Sequence, residues 1–417
     1  MLRSALVTAT YVATNYALAM AFSFRKARGG FVSRAFLSKA SSMLLSSPHM
    51  VSDETLNDSK PVVRAHWHNH DGEHAYLEEV DGYEALAWVR ERNKATLDKF
   101  GDPKEKQLYH EILSILESKD RIPHVWKMGD HYYNYWDDEK YPRGIIRRTS
   151  PSEYEKSDPN WDTVLNFEEL GKKEGESWVY KTMDVYRPDD EKVKPTRVLL
   201  SISRGGADAS VIREFDLVTL DFVEGGFSLP EAKSQVTWLD QDTLLVGTDM
   251  KDGESMTDSG YPRTVREWKR GTVLSESTLL AHCSKTDLSI MSYVSKHKGF
   301  KYVCRHTAMT FYTSKDSIQV PGHEEFVDVP RQDDASVSIF ANQMLLSLRS
   351  EWKCKQATFA PGTLLSAPID EFLNKGDAST FTVLFEPTSV SSLFTWTYTL
   401  NYVALTLLDH VKVCFSM

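Results

Sequence analysis

VLLSISRGGADASVIREFDL, residues 198–217, reads as two strands joined by a tight loop. In its first arm Val198, Leu200 and Ile202 alternate with Leu199, Ser201 and Ser203, the period-two signature of a strand with two distinct faces. Arg204–Asp208 supplies two glycines suited to positive φ, and alternation resumes over Val211–Asp216, which gives a β-hairpin with a five-residue loop. Related units begin at His131 (HYYNYWDDEKYPRGIIRRT), Thr243 (TLLVGTDM, continuing in RTVREWKRG), Phe300 (FKYVCRHTAMTFYTS), Met344 (MLLSLRSEW, continuing in TLLSAPID) and Tyr402 (YVALTLLDHVKVC). The steps between units average about 54 residues, near the roughly 40–50 of a propeller blade. A four-stranded sheet of that size cannot bury its own faces, so such units stack around an axis. The competing architecture is a β-sandwich of irregular long hairpins.

The whole 417-residue chain is 41% hydrophobic and 26% charged, a core-forming composition with room for two or three domains. A net charge of -10 and the lack of a basic stripe exclude an unaided nucleic-acid binder, because phosphate contacts need clustered Lys and Arg. Cys283, Cys304, Cys354 and Cys414 form no CxxC pair, so neither a disulfide framework nor a zinc knuckle is expected.

Residues 1–52 hold six basic residues (Arg3, Arg25, Lys26, Arg28, Arg34, Lys39) and no acid, against 43 basic and 59 acidic in the rest. Ala5–Phe24 is uncharged and mostly apolar, and ends in Ala19-Met20-Ala21, the small-x-small form of a signal cleavage site, with Phe22 straight after it. This reads as a leader that directs the chain to an organelle, plastid or mitochondrion, or into the secretory route. Thr, Asn and Tyr within the run argue against a stable membrane span, the signal-anchor alternative.

Asp53–His74 reads as a polar linker. Its His66, His68, His70 and His74, with Asp71 and Glu73 between, form the most tempting metal pattern in the chain, and a solvated, adventitious cluster is the reading preferred. Tyr76–Phe100 is helical by period, with Ala85, Trp88, Val89 and Arg92 on one side, Asp81 as the expected N-cap and Gly101 as the closing residue. A second helix is expected over Lys104–Ser118, with Leu108, Ile112, Ile115 and Leu116 as its apolar stripe.

HAYLEEVDGYEALAWVRERN (74–93), the long block from Ile115 to Leu170, LLSISRGGADASVIREFDL (199–217), FSLPEAKSQVTWLDQDTLLVGTDM (227–250) and SGYPRTVREWKRGT (259–272) resemble the N-terminal region of the prolyl oligopeptidase family of serine peptidases, its bacterial-type branch most closely. LRSEW (348–352), LLSAPIDEFL (364–373) and VLFEP (383–387) continue the likeness, which runs from about Glu73 to Val411. The resemblance implies a β-propeller of about seven blades that filters short peptides over an α/β-hydrolase domain, which follows the propeller in the chain, with N-terminal helices packed against that hydrolase.

Peptide hydrolysis in this family needs a serine on a strand-to-helix elbow, a histidine to take its proton and an aspartate to orient the histidine. None can be placed. Ser177 (GESWV), Ser228 (GFSLP) and Ser255 (GESMT) lack the second glycine of Gly-x-Ser-x-Gly. Asp370 beside Glu371 offers no dyad. Asp409 and His410, like Arg305 and His306, point to opposite faces while both members of a pair stay in a strand, which bars an orienting hydrogen bond. Arg204–Asp208 suits a blade turn better than a phosphate cradle. Arg147, Arg148, Arg213, Arg263, Arg266 and Arg270 either line the central tunnel and favour acidic peptides, or pair with blade carboxylates; pairing is the better reading.

The expectation is therefore a mainly β chain with three parts: residues 1–52 a targeting segment, 53–122 a linker and two N-terminal α-helices, and 123–417 an incomplete β-propeller of about six of seven blades. The family's hydrolase domain is expected to be absent, and no catalytic, cofactor or metal residue is assigned. By resemblance the function is that of the propeller portion of a serine-type endopeptidase acting on short peptides, with the chain inactive alone. The alternative is a truncated, non-catalytic propeller that binds peptides or proteins. Short peptides and the hydrolase domain are the expected partners.

Overall fold

The computed structural model describes residues 72–416, apart from 73, 80, 81, 119, 191, 323 and 324. Residues 1–52, expected to be a targeting segment, and His66, His68, His70, Asp71, Glu73 and Asp81 lie outside the described residues. Contacts divide the chain after Leu116 into a helical unit and a β unit.

In the helical unit α1 spans Tyr83–Phe100 and α2 spans Gln107–Leu116. Gly82 precedes α1 as N-cap without a side-chain bond, and Gly101 closes it at φ 78°, a left-handed backbone that a glycine adopts without penalty. The second helix starts three residues later than its periodicity suggests. Asp102 accepts from the Lys104 N–H, and Pro103 opens a short 3-10 turn before α2. The α2 stripe of Leu108, Ile112, Ile115 and Leu116 is exposed.

The β unit is a six-bladed propeller. Blades 1–6 begin at Trp126, Trp178, Gln235, Ser289, Ser336 and Ser391, so the spacing of the hairpins in the sequence is the spacing of the blades. Every sheet is antiparallel; blades 1, 3, 4 and 5 have four strands and blade 6 three, each a meander, and blade 2 has five, Ser228–Ala232 returning to pair with Ser210–Asp216. The five units that repeat the sequence motif are the second and third strands of their blades: His131–Trp136 with Ile145–Thr149, Thr243–Gly247 with Thr264–Lys269, Phe300–Ala308 with Ser314–Gln319, Gln343–Ser347 with Leu364–Pro368, and Val403–Asp409 with Lys412–Ser416. In blade 2, Arg197–Arg204 pairs with Ser210–Asp216 across a loop with Gly205 and Gly206 at φ 61° and 89°.

The alternation sorts side chains between blades. Val198, Leu200 and Ile202 pack on Met128, Tyr133 and Ile146 of blade 1, whereas Leu199 packs with Trp238, Leu244 and Val246 of blade 3. Leu245, one residue on, turns to Val265, Cys283 and Ile290 at the blade 3–4 boundary. Met344 and Leu346 face Tyr302, Cys304 and Ile318 of blade 4, and Leu345 faces Leu405 of blade 6. These central strands are apolar on both faces because each face meets a neighbouring blade, and each fully buried aliphatic side chain is worth roughly 1.5–3 kcal/mol.

Three short helices inside the propeller were not expected: α3 (Pro151–Tyr154), α4 (Phe167–Glu174) and α5 (Ile369–Lys375). Asn166 caps α4 by accepting from the Glu168 and Glu169 N–H groups, and Gly175 ends it in the left-handed region. In blade 5 the insertion carrying LRSEW folds as a small hairpin, and its Trp352 sits in an aromatic cluster with Phe372 of α5 and Phe381.

Ser392–Leu408 forms the first two strands of blade 6, with Leu393, Trp396, Tyr398, Val403 and Leu407 packed on the blade 5 core. The uncovered edge of the blade is Lys412–Ser416, exposed at every residue. Among the described residues no strand of blade 6 pairs with blade 1.

Candidate functional site

The first strands of neighbouring blades touch: Trp178–Val185 meets Gln235–Asp240, which meets Ser289–His297. This places the first strand of each sheet toward the propeller axis. Because the meanders share one sense, all turns from first to second strand gather at one end of that axis. In blade 2 that turn is the long segment 186–196; in blade 4 it is Lys298-Gly299, two residues with φ 52° and 79°.

These turns are linked to one another. Lys194 pairs with Asp130 in the corresponding turn of blade 1. Tyr186 lies against Trp238 of blade 3, with ring centroids 5.3 Å apart. Asp189 reaches past blade 3 to Lys296 Nζ at 2.7 Å and Lys301 Nζ at 3.4 Å, both in blade 4, and Lys296 also donates to the Arg187 carbonyl at 3.0 Å. The Lys296 ammonium holds the Asp189 carboxyl below the usual carboxylate range. His297 continues the chain of contacts, with its ring 4.5 Å from that of Phe340 in blade 5 and its Nε2 3.2 Å from the Thr399 carbonyl in blade 6.

Asp184, on the first strand of blade 2, is the most perturbed acid near the axis. Its Oδ2 is enclosed and has no hydrogen-bond partner. Burial pushes its carboxyl up to about 7, against the smaller opposing effects of the Trp238 N–H, the Arg187 charge and the Val185 N–H. Two other buried acids are fully engaged. Glu214 of blade 2 accepts from Arg270 of blade 3 at 2.8 and 3.1 Å and from the Phe227 N–H at 2.9 Å. Asp316 of blade 4 accepts from Arg331 Nε at 2.9 Å and lies 2.8 Å from His306 Nδ1. Burial works against the Asp316 charge, yet His306 and Arg331 hold its carboxyl below the usual range.

Most residues weighed from sequence have structural roles. Ser177 precedes a strand, Ser228 begins one, and Ser255 is a buried loop residue accepting from the Met250 N–H; none sits on a strand-to-helix elbow. Asp370 and Glu371 lie in α5, where Glu371 accepts from Lys375 and the Thr380 N–H. Arg305 and His306 do point apart, the first over the Phe326 ring and the second toward Asp316. For Asp409 and His410 the premise fails: His410 leaves the strand at φ 47°, and its Nδ1 lies 2.7 Å from Asp409 Oδ1, but the pair is solvent-exposed. The Arg204–Asp208 segment is a turn, with Arg204 paired to Glu176 and Glu231. His74 is the member of the histidine pattern within the described residues, beside Tyr76 and Trp88.

The arginines are mostly tied up. Arg213 pairs with Glu174, Arg263 with Glu254, Arg270 with Glu214 and Asp242, Arg266 with Ser277, and Arg148 with the Leu217 carbonyl. Arg147 lies between the rings of Trp136 and Trp161, 4.1 and 4.2 Å from their centroids, and burial pushes its guanidinium down to about 10. The axial turns carry Arg187 and three lysines, Lys194, Lys296 and Lys301, none of them among the arginines weighed from sequence. Lys296 and Lys301 are cross-strand partners on SYVSKHKGFKYV, a signal visible once the two-residue turn is placed at Lys298-Gly299.

Residues 55–319 match the family model described as prolyl oligopeptidase, N-terminal beta-propeller domain. An uncharacterized peptidase of Sinorhizobium fredii is 31% identical over 372 residues, covering 87% of this chain and 50% of the relative. An uncharacterized peptidase of Rickettsia prowazekii is 29% identical, covering 75% of this chain and 45% of the relative. Among solved structures, a post-proline cleaving enzyme from Rickettsia typhi superposes with a TM-score of 0.74 at 27% identity, over 83% of this chain and 51% of that one. The chain spans about half the length of the curated relatives it matches.

Proposed function

This chain belongs to the prolyl oligopeptidase family, whose N-terminal β-propeller domain it carries, and from that premise we propose that it is the propeller portion of a serine-type endopeptidase acting on short peptides. In this reading the propeller limits the size of the peptides admitted. A hydrolase domain encoded beyond residue 417 supplies the serine, histidine and aspartate. The observation that carries the reading is the match of a six-bladed propeller to about half of each relative, combined with the lack of a nucleophile elbow among the described residues. The exposed apolar stripe of α2 is a surface for that domain to cover. Residues 1–52 act as the leader to an organelle or the secretory route; no described helix is long and apolar enough to cross a membrane.

A second reading, a propeller that binds peptides without cutting them, is favoured by the five blade-to-blade cores already packed in this chain. Sequencing the transcript past the codon for Met417 separates the two. An open frame with Gly-x-Ser-x-Gly, whose product is labelled by a fluorophosphonate and loses labelling on Ser→Ala, supports the peptidase. A stop codon in every transcript overturns it and leaves the binding module.

A further inference from the structure

The blade 4 hairpin places two ammonium groups directly opposite each other. Lys296 and Lys301 are cross-strand partners, an arrangement that repels unless an anion lies between them. The tight Lys298-Gly299 turn fixes their register, so the pair is presented on a rigid element. The anion present is Asp189, which comes from blade 2 and contacts both lysines.

The two sides of this contact are held differently. The Lys296 side chain is 16% exposed and lies over the Tyr186 ring, whereas Asp189 is 67% exposed and sits in a turn without regular secondary structure. A partly desolvated ammonium needs a partner, but an exposed carboxylate can return to water at little cost. Asp189 is therefore the replaceable member.

We propose that Lys296 and Lys301 form a carboxylate-binding site at the axial end of the propeller, that acidic peptides are its ligands, and that Asp189 occupies it as an internal competitor. This deepens the proposed peptide-handling role and rests on it for the identity of the ligand as a peptide. The acidic bias expected of a basic tunnel then comes from this lysine pair and not from the arginines, most of which are committed to other partners.

The test uses the 417-residue chain and equilibrium dialysis, which tolerates soluble oligomers. The probes are fluorescein-labelled Glu-Glu-Ala-Pro-Gly amide and its Gln-Gln counterpart. Asp189→Asn is expected to tighten binding of the Glu peptide about fivefold and to change the Gln peptide less than about twofold. Adding Lys296→Gln and Lys301→Gln removes that gain. Lys301→Gln alone, at the more exposed position, weakens Glu-peptide binding in the parent chain and serves if the multiple variant does not fold. A free-acid Gln peptide that gains as much as the Glu peptide assigns the site to terminal carboxylates. Equal gains for both amidated peptides would mean that Asp189 only obstructs, and no gain for either would mean that it guards nothing; each overturns the proposal. A lack of hydrolysis in an extended protein sinks the peptidase reading and leaves this binding contrast intact.

Discussion

Asp184→Asn tests whether the blade 2–3 seam encloses a carboxyl that prefers to be neutral. Asp184 has an ordinary unfolded value near 3.9, and burial raises it in the folded chain to about 7. The folded state therefore holds the proton more tightly than the unfolded state. The stability it confers is fully present below about pH 4, is lost progressively as pH rises to about 7, and changes no further above that, where both states are ionised. A shift of about 3 units corresponds to about 4 kcal/mol at about 1.4 kcal/mol per unit. Asparagine does not titrate, so its own burial cost is constant and cancels when the variant is compared with its parent at two pH values. At about 2–4 °C per kcal/mol for a domain somewhat smaller than this one, the difference in Tm between variant and parent should move in the variant's favour by about 5–10 °C from pH 4.5 to pH 8.5. Paired thermal melts across that range make the measurement, and other titrating groups cancel because both chains carry them. A difference that does not change with pH would show that Oδ2 is solvated. A shift against the variant at high pH would show that the charged carboxylate is the stabilising form. Either result refutes the reasoning.

Glu214→Ala leaves Arg270 and the Phe227 N–H without their buried acceptor, and should cost about 3–5 kcal/mol, read as a fall in the denaturant midpoint. Phe415→Lys places a charge on the open blade 6 edge, where Lys412–Ser416 is exposed at every residue, and should reduce self-association in light scattering; an unchanged mass would exclude that edge as the contact. Under native conditions near pH 8, exposed Cys414 should react with a thiol reagent ahead of Cys283 and Cys304, whose thiols burial pushes up to about 11 and 12. Reaction of all the thiols at one rate would show that the blade cores open on that timescale.

How far the fold could be read from sequence depends on what each residue contacts. The blade spacing was legible because Leu199 and Leu200, or Leu345 and Leu346, fall on opposite faces of one strand and both faces are buried, which leaves a repeated apolar run. The α4 cap was equally local, with Asn166 and Gly175 flanking an eight-residue helix, but the short helix was obscured by strands on either side. The clamps were not legible. Glu214 and Arg270 are 56 residues apart, and Asp189 and Lys301 are 112 apart, so nothing in local periodicity links them.

The site differs from the fold for the same reason. Within one blade the pattern of apolar residues is enforced by packing, and a break in it costs stability wherever it occurs. At the axial turns no such pattern operates, because the described residues of segment 186–196 have no regular structure and are held by Lys194, Tyr186 and Asp189, each engaging a different blade. A sequence reading that weighs charges by abundance selects the arginines, which geometry commits to Glu174, Glu214 and Glu254. One that weighs them by strand register selects Lys296 and Lys301, opposed across a two-residue turn. Cross-strand pairs of like charge next to tight turns are thus the informative signal in a propeller: the repulsion has to be offset by an anion, and only the assembled ring reveals that the anion is Asp189.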